Sequence, residues 1–302
     1  MHHAIAAWLT ERPWRAAVAA AFCGALALQM LMPFMVLAGA IPVLVALRSD
    51  ARQALATAAT ALGSAVWVLL LLGQNVPWLM AGLAAVIFSP VLLSLLLKRT
   101  GSLNLCFQLV VASVAVTVIV IHSTLADPAA VWVELLKHVV KSMDAAGLHF
   151  TGDVEGMIAL WARTMWGALA ALTLATVLGS LFLGCWWQTL LAAPGRFGAE
   201  YRMLRLGAVL GLAVTLLFVA AFLSDSALIA SLAWVAFAAL SFQGLAAAHR
   251  SKAGGRMNRG WLAAIYVLLI VPLSMSITVV VLAIWGFADN WLRPRMAQGA
   301  RP

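Results

Sequence analysis

Side chains able to bind a ligand are scarce in this chain, and four of interest fall between residues 122 and 166. Arg163 stands about two turns into a long apolar run, with Asp153 and Glu155 just upstream. His122 and Asp127 close the preceding apolar run, and Trp166 follows Arg163 by three residues. An ionisable residue within a membrane span is costly, so such positions are the first to weigh for function. A guanidinium near the membrane surface can hold an anionic group of a small ligand or a lipid. It can equally snorkel to headgroups or pair with a nearby acid. His122 and Asp127 either complete the same ligand-binding pocket with Arg163 and Trp166 or are ordinary polar ends of a span. Gln29, Gln108, Gln188 and Gln243 read as interhelical hydrogen-bond formers rather than ligand contacts.

Catalytic signatures are missing. The chain has no HExxH, no Walker phosphate loop, no GxSxG elbow and no GxGxxG after a strand. Gly63-Ser64 and Gly179-Ser180 have no histidine positioned by sequence, and no pair of acids sits inside a span. Cys23, Cys106 and Cys185 fall in apolar runs without CxxC spacing, which argues against a disulfide framework and a zinc site. The expectation is therefore a protein that is not an enzyme, with no metal and no cofactor.

The elements that must position these residues are membrane helices. Of 302 residues, 65% are hydrophobic and 10% charged, and the mean hydropathy is +1.03. The apolar runs are long and continuous, unlike the alternating segments of about ten residues in a membrane barrel. An all-α, polytopic integral membrane bundle of about nine spans is expected. Its halves are an N-terminal membrane half at 1–125 (spans 1–5) and a C-terminal one at 157–302 (spans 6–9), separated by a charged segment at 126–156.

Span 1 follows a polar leader at 1–15, with Pro13 placed to begin a helix, and is expected to remain as an anchor. Span 2, about Phe34–Leu47, is short. Span 3 ends before the uncharged turn Gly73-Gln74-Asn75-Val76-Pro77, and Pro90 is expected to kink span 4. Span 6 is overlong, with Cys185-Trp186-Trp187 expected near its far interface. The last run, Trp261–Ala288, contains Pro272. Within 126–156, Trp132, Leu135, Leu136, Val139, Val140 and Met143 recur at helical spacing opposite Glu134, Lys137, His138, Lys141 and Asp144. That pattern predicts an amphipathic helix on the outer membrane surface.

Charge sets the orientation. With the N-terminus in the cytoplasm, the leader and the loops at 48–53, 98–102, 192–205 and 249–260 hold 13 of the 19 Lys and Arg, and the outer side holds six of the ten acids. The expected location is the bacterial inner membrane, and the net charge of +9 reads as a topology signal rather than a nucleic-acid surface. One conflict remains. Nine spans put the tail with Arg293, Arg295 and Arg301 outside, unless the run around Pro272 turns back.

Three passages resemble the YybS-like bacterial membrane proteins, a family without an assigned activity. They are Phe197–Gly207 (FGAEYRMLRLG), Phe242–Ala246 (FQGLA) and Gly286–Trp291 (GFADNW) with Arg293 and Arg295 beyond. The first half is also similar to the S components of energy-coupling-factor transporters. It shares a first span rich in small residues, a short second leg through Leu37-Ala38-Gly39-Ala40-Ile41-Pro42-Val43-Leu44, and a long third span. That likeness implies an outward-facing binding site, and a partner interface at Ala16, Ala20 and Gly24.

The functional expectation is a transport component for a small molecule or lipid, with an outward pocket at His122, Asp127, Arg163 and Trp166. The alternative is a non-catalytic scaffold that holds another membrane protein through span 1 or the basic loops. Orientation is directly testable in a background lacking the native cysteines. Lys141→Cys should react with a membrane-impermeant maleimide in intact spheroplasts, whereas Lys252→Cys should react only after permeabilisation.

Overall fold

The computed structural model describes residues 2–30, 32–73, 77–150 and 152–292. Among them every regular element is helical. Six helices are long and apolar enough to cross a membrane: Ala51–Leu71, Leu79–Thr100, Leu103–Thr124, Val154–Ala192, Ala227–Ala253 and Pro272–Leu292. Shorter apolar helices stand at Pro13–Ala27, Pro33–Arg48, Gly207–Leu223 and Arg259–Ile270. The chain is a multi-span helical membrane protein in contact with the lipid bilayer. It divides into two compact units, Met1–Val110 with Ala175–Leu204, and Val111–Leu174 with Arg205–Pro302.

The first unit holds α1 (His2–Glu11), α2 (Pro13–Met30), α3 (Met32–Arg48), α4 (Ala51–Leu71), α5 (Pro77–Thr100), the start of α6 (Leu103–Thr124), the end of α8 (Val154–Ala192), and α9 (Arg196–Tyr201). Small residues dominate its core. Ala16 and Ala20 of α2 are buried, as are Ala54, Ala58, Ala61 and Ala65 of α4. A Cβ on Gly24 would lie 2.2 Å from the Ala61 carbonyl oxygen. Such close approach brings side-chain hydroxyls onto the facing backbone. Ser64 Oγ donates to the Ala21 carbonyl at 2.7 Å and Thr60 Oγ1 to the Ala17 carbonyl at 3.2 Å. Lipid tails are as apolar as alanine, so these helices associate by packing and such bonds rather than by a hydrophobic drive. Gly24, one of the three residues expected to meet a partner protein, backs onto Ala61 of α4.

Other details of this unit depart from expectation. The leader is not simply polar: most of it is α1, which buries Ala6 and Leu9. Pro13 does open α2. Trp187, near the end of α8, is buried in the core. Pro42 and Pro90 lie inside continuous helices. Lys98 Nζ donates to the Ala46 and Ser49 carbonyls at 3.3 and 2.9 Å. A cation thus closes the C-terminal end of α3, where backbone acceptors and the helix dipole favour one. The turn residues 74–76 lie outside the described residues.

The second unit holds the rest of α6 and α8, α7 (Ala130–Ala145), α10 (Gly207–Leu223), α11 (Ala227–Ala253), α12 (Arg259–Ile270) and α13 (Pro272–Leu292). α11 and α13 run parallel in close contact. Ser241 Oγ donates to the Val279 carbonyl at 3.1 Å. A Cβ on Gly244 would lie 1.9 Å from the Leu282 carbonyl oxygen, and one on Gly286 2.0 Å from that of Leu240. Arg250 and Asp289 form an ion pair at the ends of the two helices.

This register bears on the last apolar run. α12 leaves the basic loop beside α11, with Tyr266 Oη 2.7 Å from His249 Nε2. The helix breaks at Val271, whose backbone is extended, and α13 returns to the end from which α12 set out. Proline at the start of α13 offers no N–H to continue the ladder, so the break falls where Pro272 stands. α13 therefore ends beside the basic loop. The tail with Arg293, Arg295 and Arg301 lies outside the described residues.

Glycine at the α11–α13 crossing has no room for a side chain. Gly286→Leu should lower the unfolding free energy by about 1–3 kcal/mol or more through overpacking, read as a lower thermal midpoint. Gly63→Leu, at a position with nothing within 4 Å, should leave that midpoint unchanged.

Candidate functional site

All four expected ligand-binding residues lie in the second unit, around one end of α6, α7, α8 and α11. His122 Nε2 is 3.2 Å from Ser231 Oγ, and Ser231 is fully buried. Gly167 backs onto the same serine, where a Cβ would come within 2.5 Å of Ser231 Cα. One turn earlier, Arg163 donates from its guanidinium to the Asp225 carbonyl in the turn between α10 and α11. Trp166 Nε1 donates to the Pro128 carbonyl at 2.8 Å, and its ring meets Trp132 edge-on with centroids 5.2 Å apart. Asp127 Oδ1 accepts from the backbone N–H of Ala129 and Ala130 at 3.0 and 3.3 Å. It thereby takes up donors that the first turn of a helix leaves without intrahelical partners.

Trp166 therefore ties the start of the 126–156 segment to α8, and Trp132 docks α7 on the same ring. Of the expected apolar face of α7, Trp132 is buried while Leu136, Val140 and Met143 are half-buried. Leu135 and Val139 are exposed, as are the charged residues Glu134, Lys137, His138 and Lys141. Beneath α7 a pocket of about 200 Å³ is lined by Val133 and Lys137 of α7 and by Glu155, Ile158 and Ala159 of α8. None of the four expected residues lines it.

Chemically, this end offers one exposed guanidinium, an aromatic pair and a histidine–serine contact. Arg163 has five N–H donors, and its bond to the Asp225 carbonyl uses one of them. The group suits an anion rather than acid–base turnover. Among the described residues no three His, Cys, Asp or Glu side chains are grouped to hold a metal ion.

At the opposite end of the second unit lies a polar cluster that residue-by-residue reading did not assemble. Gln243 and Asn290 are both almost completely buried. Gln243 Oε1 accepts from Leu206 N–H at 2.9 Å, and its Nε2 donates to the Gly286 carbonyl at 3.0 Å. Asn290 Oδ1 accepts from Gly207 N–H at 3.2 Å, while its Nδ2 donates to the Gly207 carbonyl at 3.1 Å. Arg205 donates to the Asn290 carbonyl at 2.8 Å. Gly207 has φ +82°, a left-handed conformation suited to glycine. The two amides thus satisfy the N–H groups of Leu206 and Gly207 at the start of α10, which would otherwise be unpaired, and Arg205 takes the Asn290 carbonyl near the end of α13.

Comparison with protein-family models, curated proteins and solved structures finds no match to the chain. The residues themselves must carry the reading. Parts of the three passages that suggested a family resemblance, Arg205-Leu206-Gly207, Gln243-Gly244 and Gly286–Asn290, converge on this one cluster. The available signal was a glutamine deep in an apolar span together with an Asp-Asn pair at a helix end.

Removing the Gln243 amide should strand the Leu206 N–H away from water, at about 1–3 kcal/mol. Gln243→Leu is accordingly expected to melt well below the parent protein. Gln188→Leu, outside this cluster, provides the comparison.

Proposed function

We propose that the protein is a non-catalytic component of the bacterial inner membrane that handles an anionic small molecule or lipid at the outer end of its second unit. Arg163 carries the reading. It is an exposed guanidinium fixed to the α10–α11 turn through the Asp225 carbonyl, and Trp166 one turn on is paired with Trp132. A pre-positioned cation beside aromatic surface suits an anionic headgroup or carboxylate at a membrane boundary.

The positive loops support a cytoplasmic N-terminus. The Arg250–Asp289 pair supports an even number of crossings in place of nine, because α13 returns to the side of the basic loop and the arginine tail then follows inside. Membership of the YybS-like group remains part of the proposal. The likeness of the first half to transporter S components, with its partner face at Ala16, Ala20 and Gly24, is likewise part of the proposal.

The test is ligand-induced thermal stabilisation of purified protein across anionic lipids, carboxylates and phosphate esters. At least one class is expected to raise the midpoint by several degrees, and Arg163→Ala should abolish the effect. A flat screen, or stabilisation that survives Arg163→Ala, overturns the reading. Stable co-purification of another membrane protein combined with a flat screen would favour a scaffold instead.

A further inference from the structure

α1 lies across one end of the first unit. Where it meets the start of α2, the Arg15 guanidinium stands 5.3 Å from the centroid of the Trp8 ring and 5.8 Å from that of Trp14. The same guanidinium pairs with Glu11 at the close of α1. The other end of α1 meets α8, where His2 and Trp186 have ring centroids 5.0 Å apart.

Both meeting points belong to the same end of the bundle. α4 runs parallel to α2, since Thr60 and Ser64 bond to the carbonyls of Ala17 and Ala21. The start of α4, and the end of α3 that leads into it, therefore lie level with the start of α2. α8 runs in the direction of α3, because Gly39 abuts Ser180 and Val43 abuts Gly184. Its last turns thus reach that level too. α1 spans between two points near one boundary and runs across the helix ends instead of along the bundle. At ten residues it is about 15 Å long, half the thickness of a hydrocarbon core.

The side chains of α1 fall into three sectors about a third of a turn apart, at 100° per residue. Ala6 and Leu9 are buried in the core that also holds Ala16, Ala20 and Trp187. Ile5 and Trp8 form an exposed apolar sector. His3 and Glu11, also exposed, form a polar one. A leader packed on the bundle and otherwise surrounded by water needs only two sectors, one dry and one wet. Three match a helix that meets protein, hydrocarbon and water at once, as at the headgroup layer. Depth is set by Arg15, whose two ring contacts hold Trp8 beside Trp14, the second residue of α2. Indole rings at the mouth of a membrane helix belong at that layer, and Arg12 at the junction is exposed there.

We propose that α1 is a surface foot lying in the headgroup layer of the phospholipid leaflet at which α2 begins, with Ile5 and Trp8 on the lipid. The exposed apolar sector is thereby continuous with the lipid contact of the membrane helices. The Trp8–Arg15–Trp14 stack is the hinge that keeps the foot level.

The experiment places an environment-sensitive fluorophore on Ile5→Cys and, separately, on His3→Cys. The full chain, in a background lacking the native cysteines, is held in phospholipid nanodiscs so that both faces are open to solvent. The Ile5 probe should emit to the blue of the His3 probe. It should be quenched by lipids carrying a nitroxide near the headgroup and resist aqueous iodide, while the His3 probe should show the reverse. Trp8→Cys lies in the same sector and should repeat the Ile5 result, which covers the case in which Ile5→Cys does not fold. Equal iodide quenching at the two sectors overturns the foot, because α1 is then surrounded by water. An Ile5 probe shielded from both iodide and nitroxide lipids overturns it as well, since a second copy or another protein then covers the sector. Stronger quenching by a nitroxide at the bilayer centre overturns the surface placement.

Discussion

Backbone amides have no water to turn to inside a bilayer, and the second unit is organised by how it meets that constraint. Within a helix the ladder satisfies itself, but each end leaves donors or acceptors over. Where α10 begins, Gln243 of α11 and Asn290 of α13 supply the missing partners. Amides suit the task because each carries donor and acceptor together without charge. The result fixes three helices at one end while the other end of α10 is left with exposed apolar side chains.

The first unit solves the association problem differently. Its helices meet through alanine and glycine faces, with hydroxyls on α4 reaching the backbone of α2. Backbones that approach so closely exclude lipid without large side chains. Lys98, from the last turn of α5, serves as the C-terminal partner of α3, so one of the cations that signal orientation is also a structural cap.

Much of this was legible in the sequence. Apolar runs long enough to span a membrane need no tertiary context to become helices, and the period of the α7 residues identified its docking side through Trp132. Pro272 and the arginines after it announced a conflict with nine crossings. What decides between crossing and return is the pairing of Asp289 with Arg250, 39 positions apart, which no local pattern encodes. The small residues of α2 were visible too, but composition alone does not say whether such a face meets its own chain or another. At the candidate site, residue type indicated Arg163 as a cation for an anion. Its attachment to a backbone carbonyl on a distant turn carries no side-chain signature at all.

Neither unit is a continuous stretch of chain, because α8 contributes its first part to one and its last part to the other. During synthesis, which proceeds from the N-terminus, the residues up to Val110 enter the membrane lacking the partners that residues 175–204 supply. Gly39 and Val43 then wait for Ser180 and Gly184, the positions they abut in the finished protein. Until α8 is complete, α3 exposes a surface shaped for a helix not yet made. Its early life is therefore that of an incomplete interface, and the arrival of α8 marks the point at which the first unit can close.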